Sequence, residues 1–214
     1  MPTINWPAHP VDATRRLLLF SHPGEAQALA VHAFWTTQSL WYLDDIDGPT
    51  QARFPAPING EHDAHVVDIA HVRWAATSAI TALDLCAASL GLAFCGRRLD
   101  QLAASVRHFD ATDVEERARP RIERFRSRLP VDFRAWVDAV IADTRYVQML
   151  AARNPTTHAR LTRHLHMSAD RTKFAIDDGE PVRAPDFIRT ARDLASDHCL
   201  AFMRALLRLP VPAT

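Results

Sequence analysis

The chain has 214 residues, of which 48% are hydrophobic and 23% charged, with 25 Lys plus Arg against 25 Asp plus Glu. This length fits one domain with a full core, or a domain with an appendage. Zero net charge excludes a protein that grips duplex nucleic acid by bulk charge, yet leaves room for a local anion site.

Cys86, Cys95 and Cys199 make no CxxC pair and no disulfide framework, so a reducing, cytoplasmic setting is expected. No apolar run reads as a membrane span, and Leu17 to Phe20, after Arg15 and Arg16, is too short for a signal peptide. Six glycines and few β-branched runs favour helix over sheet.

Residues 1–23 carry Pro2, Pro7, Pro10 and Pro23 and predict an irregular lead with a short helix over Asp12–Phe20. Gly24 to Ile46 reads as a helix with Leu29, Phe34, Leu40 and Leu43 inward, stopped by Asp47-Gly48-Pro49. The Pro-rich stretch to Gly60 divides the chain into an N-terminal helical appendage, residues 1–60, and a main bundle, residues 61–214.

The clearest element is a long helix over Asp63–Phe94. Ile69, Ala76, Leu83 and Leu90 recur every seven residues, with Ile80, Ala87 and Phe94 as a second row; such a stripe packs against other helices. Ala75, Ala76, Ala79, Ala87 and Ala88 permit close approach. An Arg-rich polar segment follows to residue 129, then a helix over Asp132–Ala142. Tyr146 to Ala152 reads as one or two turns, broken by Asn154-Pro155 and restarted over Pro155–Leu165. Lys173 to Ile176 with Asp178-Gly179 suggests a small hairpin. The last helix, Pro185 to Leu209, carries heptad rows Phe187, Leu194, Ala201 and Ala191, His198, Ala205. The fold class expected is all-α, an up-and-down helical bundle.

The window Thr144 to Ala169 contains no Asp or Glu, but holds Arg145, Arg153, Arg160 and Arg163 with His158, His164 and His166. At its centre lies Arg153-Asn154-Pro155-Thr156-Thr157-His158. Asn is a favoured N-cap and Pro a favoured first helical residue. Asn154 would then cap a helix whose free N–H groups, with the Arg153 guanidinium, bind a phosphate. His158 titrates near neutrality and suits proton transfer. The plainer alternative keeps Asn154-Pro155 as a cap, Arg153 as a partner of carbonyls and His158 as a surface residue.

This run resembles the Arg-x4–6-His signature of HEPN domains, in the form with a polar residue after the Arg. The resemblance covers roughly residues 63–209: a long helix opens the bundle, the motif lies at a late junction and a long helix closes it. Arg15 and Arg16 with His22, Arg160 with His166, and Arg192 with His198 have similar spacing; Asn154, the acid-free window and the position before the closing helix single out Arg153–His158. The resemblance implies a small helical bundle, often a metal-independent ribonuclease or toxin working as a homodimer. It implies that Arg153, Asn154 and His158 form the catalytic set, with Arg145, Arg160 and Arg163 as further binding residues. Under it the 2′-hydroxyl of RNA attacks the adjacent phosphorus, His158 moves the proton and Arg153 stabilises the charge. No metal or cofactor is implied. RNA or a nucleotide, a second copy and an antitoxin or other protein are the implied partners. Some toxin-type members carry a modified Tyr two residues after the His; Arg160 stands there, so that control is not implied.

Two other functions compete. His62, His65, Asp68 and His71 lie three apart near one helix face and could hold a metal for a helical-bundle enzyme, although the usual paired-His signature beside a Glu is missing. A non-catalytic interaction module would use the Trp35, Trp41 and Tyr42 cluster, which otherwise packs the N-terminal helix onto the bundle. The arginines at 117, 119, 121, 124, 126 and 128 read as a solvated face rather than a phosphate track. His198 reads as a satisfied core histidine.

Overall fold

A computed structural model describes residues 4–20, 24–42, 61–95, 105–110, 119–157, 165–167, 173–176 and 180–211. These form helix α1 (Pro10–Thr14), a 3-10 turn η1 (Arg15–Leu19), α2 (Glu25–Leu40), α3 (Glu61–Cys95), a 3-10 turn η2 (Val106–Phe109), α4 (Arg119–Arg128), α5 (Val131–Ala142), α6 (Thr144–Thr157) and α7 (Ala184–Arg208). One antiparallel hairpin pairs β1 (Leu165–Met167) with β2 (Phe174–Ile176), in the register Leu165 to Ile176 and Met167 to Phe174. The fold is an all-α bundle with this small hairpin before the last helix. Asp178-Gly179 and the Asp47-Gly48-Pro49 stop lie outside the described residues.

Local signals account for several boundaries. Pro10 opens α1 at its first position, where the missing N–H costs nothing. Gly24 precedes α2 with φ +98°, a backbone region that any side chain would strain. Pro130 stands before α5, and its carbonyl accepts the amides of Phe133 and Arg134. Ser105 caps η2, its hydroxyl accepting the Arg107 amide.

The long helix α3 is the axis of the core. Ala75, Ala76, Ala79, Ile80, Ala82, Leu83, Cys86, Ala87 and Leu90 are all fully buried. Its stretch Ala70–Cys95 corrects the expectation that no segment is apolar enough for a membrane. The stretch is 26 residues long with a mean hydropathy of 1.7, sufficient by length and composition, and 83% of its apolar window is buried inside the fold.

Aromatic rings join the layers. Phe20 lies 5.0 Å from Phe94, Phe94 5.6 Å from Phe133, and Phe133 5.5 Å from Phe202. Phe202 also meets Trp136 at 5.0 Å and Phe34 at 6.2 Å, and Phe34 meets Trp6 at 5.1 Å. These centroid distances are those of attractive tilted pairs.

This chain of rings ties the described N-terminal helices to the bundle. Ala13, Leu17, Ala26, Ala30, Ala33 and Phe34 belong to the same buried cluster as α3 and α7, and Arg16 Nε donates to the Leu209 carbonyl at 3.2 Å. The described part of the first 60 residues is a layer of the bundle, because α2 covers the alanine-rich face of α3. The aromatic cluster is corrected too. Trp35 and Tyr42 are exposed, while Trp41 is half-buried, donating from Nε1 to Ser196 Oγ at 3.0 Å beneath the Arg192 guanidinium. On α7, Ala201 is exposed rather than inward. The helix follows a 3.6-residue period, so a strict heptad row drifts around the helix over about four turns.

Phe202 joins α7 to α2 and α5, so Phe202→Ala should cost about 3–5 kcal/mol of stability. Val147→Ala, at an exposed position, should stay within about 0.5 kcal/mol. Urea unfolding of the two variants measures both.

Candidate functional site

The expected helix restart at Pro155 is absent: α6 runs unbroken from Thr144 to Thr157. Asn154 therefore lies inside the last turns of α6 and caps no helix start. Pro155 lies within α6, where it removes one backbone donor from the helix ladder. The true cap of this helix is Asp143. Its Oδ1 accepts the Arg145 amide at 2.9 Å, and its carbonyl accepts the Tyr146 amide at 3.0 Å.

Arg153 is placed by a buried acid. Arg153 NH1 donates to Asp84 Oδ2 at 2.8 Å, and the Val106 amide donates to Asp84 Oδ1 at 3.0 Å. The Asp84 side chain is 9% exposed and that of Arg153 is 26% exposed. Both carboxylate oxygens are thus used, and the guanidinium is held at NH1 on a side chain that is partly exposed. Tyr146 precedes Arg153 by seven residues, two helical turns, and so shares its face of α6. Its phenol is buried, with no well-formed hydrogen bond. Burial, and then the nearby Asp84 carboxylate, push the phenol well above its usual range, against weaker opposing effects of Arg107, Ser105 and Arg153. At neutral pH the phenol is a proton-bearing donor, not a base.

Arg145 belongs to a different cluster at the other end of α6. Its Nε and NH2 engage Asp143, the latter at 2.8 Å, and NH1 meets Asp197 Oδ2 at 3.0 Å. Asp143 also meets His198 Nε2 at 2.9 Å, and the His198 carbonyl accepts Trp136 Nε1 at 2.8 Å. Burial raises the Asp143 carboxyl, but the hydrogen bonds from Arg145 and His198 outweigh it and pull the carboxyl down to about 2. The same bond to Asp143 pushes Arg145 upward. His198 is the satisfied core histidine expected from its place on the apolar stripe. A carboxylate-oriented imidazole is a general-base arrangement, yet this one is buried on α7 behind Trp136 and serves packing.

Arg145 and Arg153 are eight residues apart, about 12 Å along the helix axis, and the structure does not bring them into one site. His158, Arg160 and Arg163 lie outside the described residues, as does the Asn154 side chain. So do the side chains of His62, His65 and Asp68. Among the described residues no group of three or more His, Cys, Asp or Glu is arranged to hold a metal. The arginine strip of α4 is corrected in part. Arg126 donates to the Phe109 carbonyl at 3.0 Å and pairs with Asp138, and Arg128 donates to the Cys95 carbonyl at 3.1 Å. These two staple α4 to the ends of η2 and α3, Arg126 half-buried and Arg128 still exposed.

Sequence reasoning missed Asp84, Asp143 and Tyr146. A signal for Asp84 existed: it is the one charged residue between Trp74 and Cys95, and a charge in so apolar a helix requires a partner. Comparison with protein-family models, with curated proteins and with solved structures gives no match to this chain.

Asp143 ties the pH response to geometry. Its carboxyl is lowered in the folded chain, so its stabilisation is present above the unfolded value near 4 and is lost as pH falls toward about 2. Asp143→Asn should lose about 2 kcal/mol at pH 7 and unfold with a flatter acid limb between pH 4 and pH 2. Urea melts across that range test both effects.

Proposed function

We propose that this protein is an RNA- or nucleotide-binding helical bundle of HEPN type, with metal-independent endoribonuclease activity in a homodimer. The observation that supports the reading is the anchoring of Arg153 by Asp84. An Arg side chain already ordered by an ion pair at NH1 and partly exposed can meet an anion without the full entropy of ordering a long side chain. It stands at the end of α6, where the chain continues into His158, Arg160 and Arg163.

In this reading Arg153 binds the scissile phosphate and stabilises its growing charge. His158 transfers the 2′-hydroxyl proton. Arg160 and Arg163 hold neighbouring phosphates. No helix N-terminus contributes, because Asn154 caps none, so the phosphate is held by side-chain charge. One Arg and one His per chain make a thin site, and a two-fold pair of chains supplies two of each.

A second reading has an observation of its own. Trp35 lies on α2 and Tyr42 just beyond its C-terminal end, and both are about half exposed. Large aromatics in that position suit a protein partner, and the chain would then be a non-catalytic interaction module.

The test uses the full chain and a labelled single-stranded RNA. His158→Ala should lower cleavage by about 10²–10⁴-fold while leaving thermal unfolding unchanged. Arg153→Ala should lower both cleavage and affinity, and Arg153→Lys should restore part of the affinity. Wild-type protein that neither binds nor cleaves RNA overturns the reading. So does cleavage that survives His158→Ala and Arg153→Ala. An Arg153→Ala chain that is destabilised but binds RNA as before assigns the ion pair to folding alone.

A further inference from the structure

Two sulfur atoms meet in the centre of the bundle. Cys86 Sγ on α3 and Cys199 Sγ on α7 are 4.0 Å apart, and both residues are fully buried. The Thr37 hydroxyl of α2 lies 3.1 Å from Cys199 Sγ and 2.9 Å from the Ala33 carbonyl. A hydroxyl has one hydrogen. When it donates to Ala33, the Cys199 thiol can donate to it and the Cys86 thiol to Cys199. Three helices are joined there by an uncharged chain of weak hydrogen bonds.

The sulfur separation exceeds a disulfide bond by about 2 Å, a gap that side-chain rotation on two packed helices can close. We propose that Cys86 and Cys199 are a redox-closable pair, converted by a small hydroperoxide into a disulfide that joins α3 to α7.

The chemistry balances with that oxidant. One thiol sulfur attacks a peroxide oxygen, the O–O bond breaks, and a sulfenic acid forms with release of water from hydrogen peroxide. The second thiol attacks the sulfenic sulfur, the S–S bond forms, the S–O bond breaks and a second water leaves. Two thiols lose two electrons, hydrogen peroxide gains them, and both thiol protons end in water.

Burial decides which oxidants act. It pushes the Cys86 thiol well above its ordinary range, helped by Cys199 and the Asp84 carboxylate. Thiolate is scarce, so closure is slow and favours a small neutral reagent that enters as the helices breathe. Dithiol and disulfide are both uncharged, so the core carries no new charge afterwards. Cys95 stands apart, its thiol directed to the Phe125 carbonyl at 3.8 Å. The bond would close a loop over more than half the chain, a strong constraint on the unfolded state. It would also lie between the two polar clusters, with Asp84 two residues before Cys86 and His198 next to Cys199.

The experiment treats the full chain with hydrogen peroxide, blocks remaining thiols with N-ethylmaleimide under denaturing conditions and maps the peptides. A Cys86–Cys199 linked peptide is expected, with Cys95 alkylated. The thermal midpoint should lie above that of the same sample reduced with dithiothreitol. Complete alkylation of all three cysteines overturns the proposal, as does a link through Cys95 or oxidation that stops at sulfinic acid. Cys199→Ser treated in the same way should give neither link nor upward shift; a shift there also overturns it.

Discussion

A single carboxylate in an apolar helix governs how the later half of the chain docks. Asp84 is nearly buried among the alanines and leucines of α3, and a charge so placed is unstable unless it is paired and hydrogen-bonded. Its two partners come from different elements: the Val106 amide from η2 and the Arg153 guanidinium from α6. One residue therefore fixes two later segments against the central helix. Hydrophobic contact alone would press α6 onto α3 without choosing its rotation. The ion pair chooses it, and puts Tyr146 and Met149 on the covered side, where both are buried.

The other half is fixed by shape. The small residues of α3 let α2 and α7 approach closely, and the rings of Phe34, Phe133 and Phe202 fill the space between helices. Close packing of this kind leaves few alternatives, since a shift by one residue would replace an alanine by a leucine at the contact. Polar contacts then trim the edges. Trp41 reaches Ser196, Arg16 reaches the end of α7, and Arg126 and Arg128 bind carbonyls that end η2 and α3.

Much of this fold was legible in the sequence, for identifiable reasons. The heptad rows of α3 and the proline before α5 are local signals, and the helices they predict are present. The hairpin was legible in its second strand, Phe174–Ile176; its first strand, Leu165–Met167, carries no distinctive pattern. The Asn154-Pro155 pair was misread because Asn and Pro only favour a helix start, and here both lie inside α6. The covered face of Tyr146, Met149 and Ala152 already belongs to a helix upstream of the pair. Packing across residue 60 was not legible. Prolines mark a connector, but they do not say whether the two sides share a core.

The candidate site was less legible, because charge was counted along the chain while ion pairs form across it. The window from Thr144 to Ala169 has no acid of its own, yet Arg145 is held by Asp143 and Asp197, and Arg153 by Asp84. Two of its four arginines are thus paired with acids outside the window, and the positive field is smaller than the sequence implies. What pairing takes from net charge it returns as orientation. A guanidinium carries five donors in one plane, so engagement at NH1 sets the direction of the whole group. In the proposed reading an anion would arrive at a pair whose acid, Asp84, is also held by a backbone amide. The anion would join an Asp–Arg–anion line, and its affinity would depend on that alignment more than on the number of arginines nearby.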